Sequence, residues 1–329
     1  MMGKSNFWQG KIVFVTGFEG FLGSRLTQML LDRGAKVVGL DIKIFRKDTV
    51  LTPIDYKRIV VYRGSVADRK LVRGILRRHP INVVFHLAAE AIVYRSQENP
   101  LKAFESNIAG TWEVLEACRL YRNLQAIVIA SSDKAYGAHK KLPYKEDAPL
   151  IANHPYDVSK SCTDLIANTY AHTYGLPVAI TRCGNIYGPG DFNFSRLLPD
   201  AMRCFCSGKT LQIRSDGRFV RDYVYVDDVV EGYLKIAELL KRRKLEGEAF
   251  NLSNEMPLSV MQLLKKIDEL SSRGRKLKYK IINTARYEIK KQYLCSRKAR
   301  RTLDWKPRNT IGEGLKKTIN WYSVYFGIK

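Results

Sequence analysis

The chain has 329 residues, of which 45% are hydrophobic, and it carries a formal net charge of +24. This length and composition predict one large or two fused globular units with enough apolar material for a core. No segment approaches the roughly 18 apolar residues that a membrane-spanning helix needs. Residues 1–6 also lack the apolar stretch of a secretory signal, so we expect a cytoplasmic protein.

The cysteines and histidines exclude two kinds of site. The six cysteines are scattered without a C-x-x-C pair, which indicates reduced thiols rather than a disulfide framework. The five histidines show no metal-ligand spacing, and we therefore expect no metal site.

The positive charge is concentrated in residues 241–329, with basic runs at 241–244 and 273–276. Such runs are compatible with nucleic-acid binding. However, neither run is interleaved with aromatic residues, and no helix-turn-helix or zinc-finger pattern accompanies them. We favour a solvated basic surface around a site for an anionic small molecule.

The first half of the chain predicts alternating strands and helices. Residues 11–16 form a short β-branched run, as expected for a strand buried on both faces, and residues 21–32 form a helix with one apolar side. The alternation continues with strands at 37–41, 59–62, 83–86, 125–130 and 177–181 and helices at 68–78, 100–121 and 156–174. This order predicts an α/β fold, a doubly wound (Rossmann) parallel sheet.

The pattern loosens after residue 182, where proline and glycine interrupt it. Helices are predicted at 226–241, 258–271 and 311–325. We expect the first domain to contain 1–181, with 226–252 returning to it. A smaller, partly interleaved C-terminal α/β substrate domain would contain 182–225 and 253–329.

A glycine pattern joins the first strand to the first helix. Gly17 would allow the tight turn, Gly20 would let the backbone approach a pyrophosphate, and Gly23 would let the helix lie close to the sheet. Phe21 and Leu22 open that helix, whose N-terminus favours phosphate. This context predicts dinucleotide binding.

Asp41 ends the second predicted strand and bears on which dinucleotide binds. A carboxylate at this point accepts hydrogen bonds from ribose hydroxyls and repels a 2′-phosphate. The sequence therefore favours NAD over NADP, although the cations of Lys43 and Arg46 are able to tolerate that phosphate.

Two short stretches carry groups suited to proton transfer. Tyr156 and Lys160 would lie on one face of a helix, where the ammonium favours the phenolate and makes the tyrosine a base. Ser132, Asp133 and Lys134 add a hydroxyl, an acid and a possible amine base. An alternative is that residues 132–134 form only a turn, since Ser and Asp favour turns.

Over nearly its whole length the chain resembles an extended short-chain dehydrogenase/reductase, in the NAD-dependent nucleotide-sugar epimerase/dehydratase family. The matching motifs are Val15–Gly23, His86–Ala89, Asn107 with Gly110-Thr111, Tyr156 with Lys160, Arg182–Gly188, Arg221–Asp228 and Trp305-Lys306-Pro307. The resemblance implies an enzyme of carbohydrate biosynthesis that binds NAD and a nucleotide-diphosphate sugar.

The resemblance also implies further binding residues. Those for NAD are Ser65, Val66, Leu87, Ala88, Ala89 and Asn107, together with Tyr156 and Lys160. Those for the nucleotide sugar are Glu90, Asn185, Arg196 and Arg221. Two positions depart from the family: Ser65 replaces a frequent aspartate, and Glu90 replaces a commoner glutamine.

Residues 132–134 indicate the reaction within this family. The Ser-Asp-Lys sequence most resembles CDP-glucose 4,6-dehydratases, whereas epimerases have small apolar residues there. The resemblance thus implies a lyase, with Tyr156, Lys160 and Ser132 acting at the sugar C4 hydroxyl. Asp133 would protonate the leaving 6-hydroxyl, and Lys134 is the candidate base at C5.

Two alternatives remain open at this point. One is an NDP-sugar 4-epimerase similar to UDP-glucose 4-epimerase, and the other is a non-catalytic, nucleotide-sensing or RNA-binding relative. The helices at 100–121 and 156–174 resemble the pair that forms the dimer interface in this family, which implies a homodimer.

Overall fold

The structure is a computed structural model and describes residues 7–121, 123–271, 276–285 and 288–328. The strands are β1 (Ile12–Thr16), β2 (Lys36–Asp41), β3 (Ile59–Arg63), β4 (Val83–His86), β5 (Ala126–Ala130), β6 (Val178–Cys183), β7 (Asn185–Tyr187), β8 (Leu211–Ile213), β9 (Val220–Tyr225), β10 (Ala249–Leu252), β11 (Pro257–Ser259), β12 (Tyr279–Ile281) and β13 (Lys291–Gln292).

The helices alternate with these strands through most of the chain. They are α1 (Phe21–Asp32), α2 (Pro53–Tyr56), α3 (Arg69–Arg78), α4 (Val93–Glu98), α5 (Pro100–Phe104), α6 (Gly110–Tyr121), α7 (Pro155–Tyr174), α8 (Leu197–Ser207), α9 (Val226–Arg243), α10 (Val260–Leu270), α11 (Arg297–Leu303) and α12 (Ile311–Tyr325). Within the described ranges, no helix is both long and apolar enough to cross a membrane.

Seven strands form one sheet in the order β10-β6-β5-β4-β1-β2-β3. The pairs from β6 through β3 are parallel, so their carboxyl ends meet at one edge of the sheet. Strands β4 and β5 carry almost only buried apolar residues, because helices cover both faces of such a sheet. The predicted α/β doubly wound fold is confirmed.

The predicted helix at 100–121 contains a change of helical type. Helix α5 passes into a π-helical turn at Glu105–Ala109, from which α6 continues. The structure is thus helical over the whole predicted range, and the sequence did not indicate the change of helical type within it. A π-turn holds one more residue per turn than an α-helix and often marks a functional position.

The chain divides into two compact units. The first runs to Gly137 and includes Pro149–Arg182 and Val230–Phe250, and the second contains Ala138–Ala148, Cys183–Val229 and the residues from Asn251 onward. The second unit has its own apolar core and a small sheet in which β9 pairs with β7, β11 and β13. The functional domain boundaries predicted from the sequence stay a prediction.

Candidate active site

The phosphate loop has the close approaches that its glycines predict. Gly17 has a positive φ of 71°, and a Cβ there would lie 2.9 Å from the Ala88 Cα. A Cβ on Gly23 would lie 2.0 Å from the Gly17 carbonyl oxygen, so only glycine lets α1 begin against the turn. The loop therefore offers bare backbone before a helix N-terminus, and these features fit the pyrophosphate of a dinucleotide.

Asp41 ends β2 and is almost fully buried. Its carboxylate accepts backbone N–H groups from Glu19 and from Lys43, each at 3.3 Å. Burial raises the pKa of Asp41, and the two backbone donors act in the opposite direction. The carboxylate is thus held at the carboxyl end of its strand, where a ribose acceptor is expected.

The other residues predicted to bind the dinucleotide follow the ends of the parallel strands or open the first helix. Phe21 and Leu22 form the first turn of α1, Ser65 and Val66 follow β3, and Leu87, Ala88 and Ala89 follow β4. The Ser65 hydroxyl accepts the N–H of Ala67 at 3.1 Å, which fixes the turn there.

A buried histidine joins β1 to β4. The Thr16 hydroxyl lies 2.8 Å from His86 Nδ1 and accepts N–H groups from Leu87 and Ala88, so it must donate to the ring. The other ring nitrogen, Nε2, lies 3.2 Å from the Thr111 hydroxyl, which donates to the Asn107 carbonyl. These bonds assign a neutral imidazole with its proton on Nε2. Burial, together with the Lys160 ammonium, lowers the pKa of His86 to about 3.

Asn107 lies in the π-turn and links three parts of the first unit. Its side-chain oxygen accepts the Glu90 N–H at 2.7 Å, and its amide nitrogen donates to the Glu90 carbonyl at 3.1 Å. The same nitrogen donates to the Ser159 hydroxyl at 2.9 Å. Ser159 donates in turn to the Tyr156 carbonyl at 2.7 Å. Asn107 thereby ties the segment after β4 to the first turns of α7.

Tyr156 and Lys160 lie one turn apart near the N-terminus of α7. Because residues four apart share a face of a helix, both side chains point the same way. Tyr156 is 9% exposed and Lys160 is 5% exposed. The Lys160 ammonium donates to the Ala130 carbonyl at 2.8 Å, which places it at the end of β5.

Burial changes the acid–base behaviour of Lys160. Loss of water around the ammonium lowers its pKa to about 8, and the nearby Asp164 opposes this shift. Asp164 itself pairs with Arg182 through two bonds of 3.0 and 2.7 Å. At neutral pH the Lys160 ammonium is still mainly charged and able to stabilise a phenolate beside it.

Residues 133–136 form a 3₁₀ turn directly after β5. The Ser132 hydroxyl caps this turn by accepting the Lys134 N–H at 3.2 Å and donates to the Asp133 carboxylate at 3.1 Å. Asp133 is 3% exposed, and Lys134 is partly buried. The carboxyl group is therefore buried, whereas a simple surface turn would leave it in water.

The 3₁₀ turn packs on the first turns of α7. The Ser161 hydroxyl donates to the Ala135 carbonyl at 2.9 Å, and the Ser131 hydroxyl donates to the Lys160 carbonyl at 3.3 Å. The structure thus brings the two predicted catalytic stretches together in the first unit.

The remaining predicted residues lie in different places. Glu90 follows β4, and its carboxylate accepts the Ile92 N–H at 3.1 Å. Asn185, Arg196 and Arg221 belong to the second unit. Arg196 pairs with the buried Asp191 at 3.1 Å, and Arg221 lies on β9 with its guanidinium 3.6 Å from Glu288.

Sequence reasoning missed several polar residues that hold the site. Thr163 donates to the Asn107 carbonyl at 3.0 Å, and Ser159 bonds both Asn107 and Tyr156. Their spacing along α7 gives one signal: Ser159 and Thr163 are four residues apart and face the same neighbour. Glu19 gave no signal, because its partners lie far along the chain.

Known proteins are similar to this chain over most of its length. The model of the NAD dependent epimerase/dehydratase family matches residues 13–253. A UDP-glucuronate 4-epimerase of Thermodesulfobacterium geofontis is 32% identical, over 93% of this chain and 94% of that protein. A CDP-glucose 4,6-dehydratase of Salmonella typhimurium is 29% identical, over 97% of this chain and 92% of that protein.

A solved structure shows the same architecture. The dTDP-glucose 4,6-dehydratase of Bacillus anthracis, in complex with NAD, superposes with a TM-score of 0.83 at 26% identity. The match covers 96% of this chain and 97% of that one. The relatives thus include dehydratases and an epimerase at similar identity.

Proposed function

The chain belongs to the NAD-dependent epimerase/dehydratase family, and on that premise we propose that it is an NDP-hexose 4,6-dehydratase with CDP-glucose as its first candidate substrate. The product would be an NDP-4-keto-6-deoxyhexose. NAD supplies the hydride acceptor at C4 and the hydride donor at C6 when it is bound.

The buried carboxyl group of Asp133 is the observation that carries this proposal. Removal of water from C6 needs an acid that protonates the leaving hydroxyl, whereas epimerisation at C4 needs none. Asp133 is 3% exposed and lies on a turn that packs against the helix of Tyr156 and Lys160. Its position beside the helix of the proposed base makes Asp133 the candidate proton donor.

The other residues would divide the remaining proton transfers. Tyr156 would take the proton of the 4-hydroxyl, with the Lys160 ammonium favouring the phenolate. Ser132 would hydrogen-bond the same oxygen. Oxidation at C4 makes the C5 proton acidic, and Lys134 is the candidate to remove it.

The alternative is an NDP-sugar 4-epimerase, and the 32% identity to a UDP-glucuronate 4-epimerase favours it. A uronate has a carboxylate at C6 and no 6-hydroxyl to lose, so such a substrate excludes 4,6-dehydration. Glu90, at a position assigned to the sugar by resemblance, would also place a second carboxylate near that of a uronate and disfavour it.

A single incubation in heavy water separates the two functions. The protein is given CDP-, UDP-, dTDP- and GDP-glucose and UDP-glucuronate, and products are followed by mass spectrometry and NMR. A dehydratase product is lighter by one water and carries one solvent deuterium at C5. Conversion of any substrate to its C4 epimer, without deuterium at C5, would instead support the epimerase.

Asp133→Asn tests the assigned acid. The variant keeps the size of the side chain but has no proton to give to the 6-hydroxyl, so turnover should fall by roughly 10²-fold or more. Hydride transfer to bound NAD, followed by absorbance of the reduced ring, should persist. Asp200→Asn, on α8 of the second unit, is the matched control. Full turnover by Asp133→Asn would refute the role of Asp133.

Exposed apolar side chains on the helices near the site support the homodimer that the resemblance implies. Leu101, Trp112, Leu120 and Leu165 lie on α5, α6 and α7 and are exposed in the single chain. Apolar surface of this kind on adjacent helices is typical of a subunit interface. We therefore include self-association through these helices in the proposal.

A further inference from the structure

Glu19, in the phosphate loop, has a fully buried carboxylate that binds a later segment of the chain. One of its oxygens accepts the N–H of Phe45 at 2.7 Å, and the other accepts the N–H of Arg46 at 2.8 Å. Both donors belong to the segment that follows β2. The two bonds are charge-assisted and therefore stronger than bonds between neutral groups.

The backbone around Phe45 has the form of an anion-binding concavity. Phe45 has a positive φ of 56°, unusual for a residue other than glycine. Successive N–H groups in such a conformation point to one side and bind anions. In this chain the bound anion is the carboxylate of Glu19.

This concavity lies beside the carboxylate expected at the adenosine ribose. The N–H of Glu19 itself donates to Asp41 at 3.3 Å. The nearby cation of Arg46 is also engaged, because its guanidinium makes two bonds to Asp48 at 3.1 and 2.5 Å. Two sets of donors could receive a 2′-phosphate, and both are already paired within this chain. The backbone N–H groups of the concavity bind Glu19, and the Arg46 guanidinium binds Asp48.

We propose that Glu19 determines the choice of dinucleotide, because its carboxylate fills the anion site that a 2′-phosphate would otherwise take. Glu19 also adds a second negative charge beside Asp41, so NADP meets repulsion as well as a filled site. The inference concerns the cofactor alone and holds for a dehydratase and an epimerase equally.

Glu19→Gln tests this role, since glutamine keeps the shape and one acceptor oxygen but removes the charge. Dissociation constants of NAD⁺ and NADP⁺ are measured by calorimetry on protein freed of nucleotide. The ratio of the NADP⁺ constant to the NAD⁺ constant should fall at least tenfold. When the purified proteins are denatured, we expect the Glu19→Gln variant to release some NADP and the wild-type protein to release none.

Two further variants make the test decisive. Asp32→Asn removes one charge at the opposite end of α1 and should leave the ratio unchanged within twofold. Glu19→Ala opens the concavity and should lower the ratio at least as far as Glu19→Gln. An unchanged ratio in the folded Glu19 variants would overturn the proposal. Equal weakening of both dinucleotides would also overturn it, because that result shows a purely structural role.

Discussion

At the scale of single residues, the site combines groups whose burial is costly with bonds that compensate for it. Lys160 is the clearest case, because the residue is only 5% exposed and its ammonium donates to the Ala130 carbonyl. The sequence could predict Lys160 from its spacing to Tyr156. It could not predict the partner at Ala130, because that carbonyl reaches the lysine only through the packing of β5 on α7.

Lys160→Met should stabilise the cofactor-free protein while abolishing turnover. Lowering the pKa from 10.5 to about 8 costs the folded state roughly 3 kcal/mol at neutral pH, at about 1.4 kcal/mol per unit. Loss of the bond to Ala130 offsets part of this gain, so the free energy of unfolding should rise by about 1 to 3 kcal/mol at pH 7. Urea denaturation measures this difference.

The pH dependence provides the check on this explanation. Below pH 8 the lysine is protonated in both the folded and unfolded states, so the cost is complete. Between pH 8 and 10.5 the folded state loses its proton first, and the wild-type protein should gain stability relative to Lys160→Met. A stability difference that stays constant from pH 7 to 10 would contradict desolvation as the cause.

At the scale of elements, the alternation of strands and helices could be predicted because buried β-branched runs and a 3.6-residue period are local signals. The π-turn at Glu105–Ala109 could not be predicted, because its geometry is fixed by bonds between Asn107 and two distant residues, Glu90 and Ser159. The sequence pattern within residues 100–121 carries no information about contacts with Glu90 and Ser159.

Asn107→Ala should therefore loosen the π-turn and the segment after β4. The change removes three bonds and leaves the Glu90 N–H and carbonyl without their side-chain partner, so we expect a loss of about 2 to 3 kcal/mol of unfolding free energy. Asn168→Ala, which removes one bond on the exposed face of α7, should change stability by less than about 1 kcal/mol. Chemical denaturation measures the unfolding free energy of both variants. Equal losses of unfolding free energy would show that the Asn107 bonds stabilise the fold no more than a single exposed bond does.

At the scale of the whole molecule, the net charge of +24 should act on ligand binding. A nucleotide-diphosphate sugar is an anion, and a positive protein raises its local concentration. We expect the dissociation constant of CDP-glucose to rise severalfold between about 20 and ~200 mM NaCl, because the Debye length falls to roughly 10 Å or less.

Fluorescence titration measures this salt dependence, with uncharged cytidine as the control ligand. If the dissociation constant of CDP-glucose does not change with salt concentration, the net positive charge of the protein does not contribute to binding this ligand. Tight, salt-sensitive binding of a polynucleotide that is unchanged in Tyr156→Phe, without turnover of any nucleotide sugar, would support the non-catalytic, nucleotide-sensing or RNA-binding alternative.

The late return of the chain to the first unit also governs how this protein folds during synthesis. Strand β10 is the neighbour of β6, and Gly247 and Glu248, which directly precede β10, form backbone bonds with Val178 and Ile180 of β6. Glu231 and Glu238 on α9 bind Arg33 and Trp8. A nascent polypeptide is therefore expected to keep the β6 edge unpaired until residues 247–252 have emerged from the ribosome. An unpaired edge of this kind favours association with neighbouring chains. Newly made molecules consequently depend on completing these distant pairings before they are safe from aggregation.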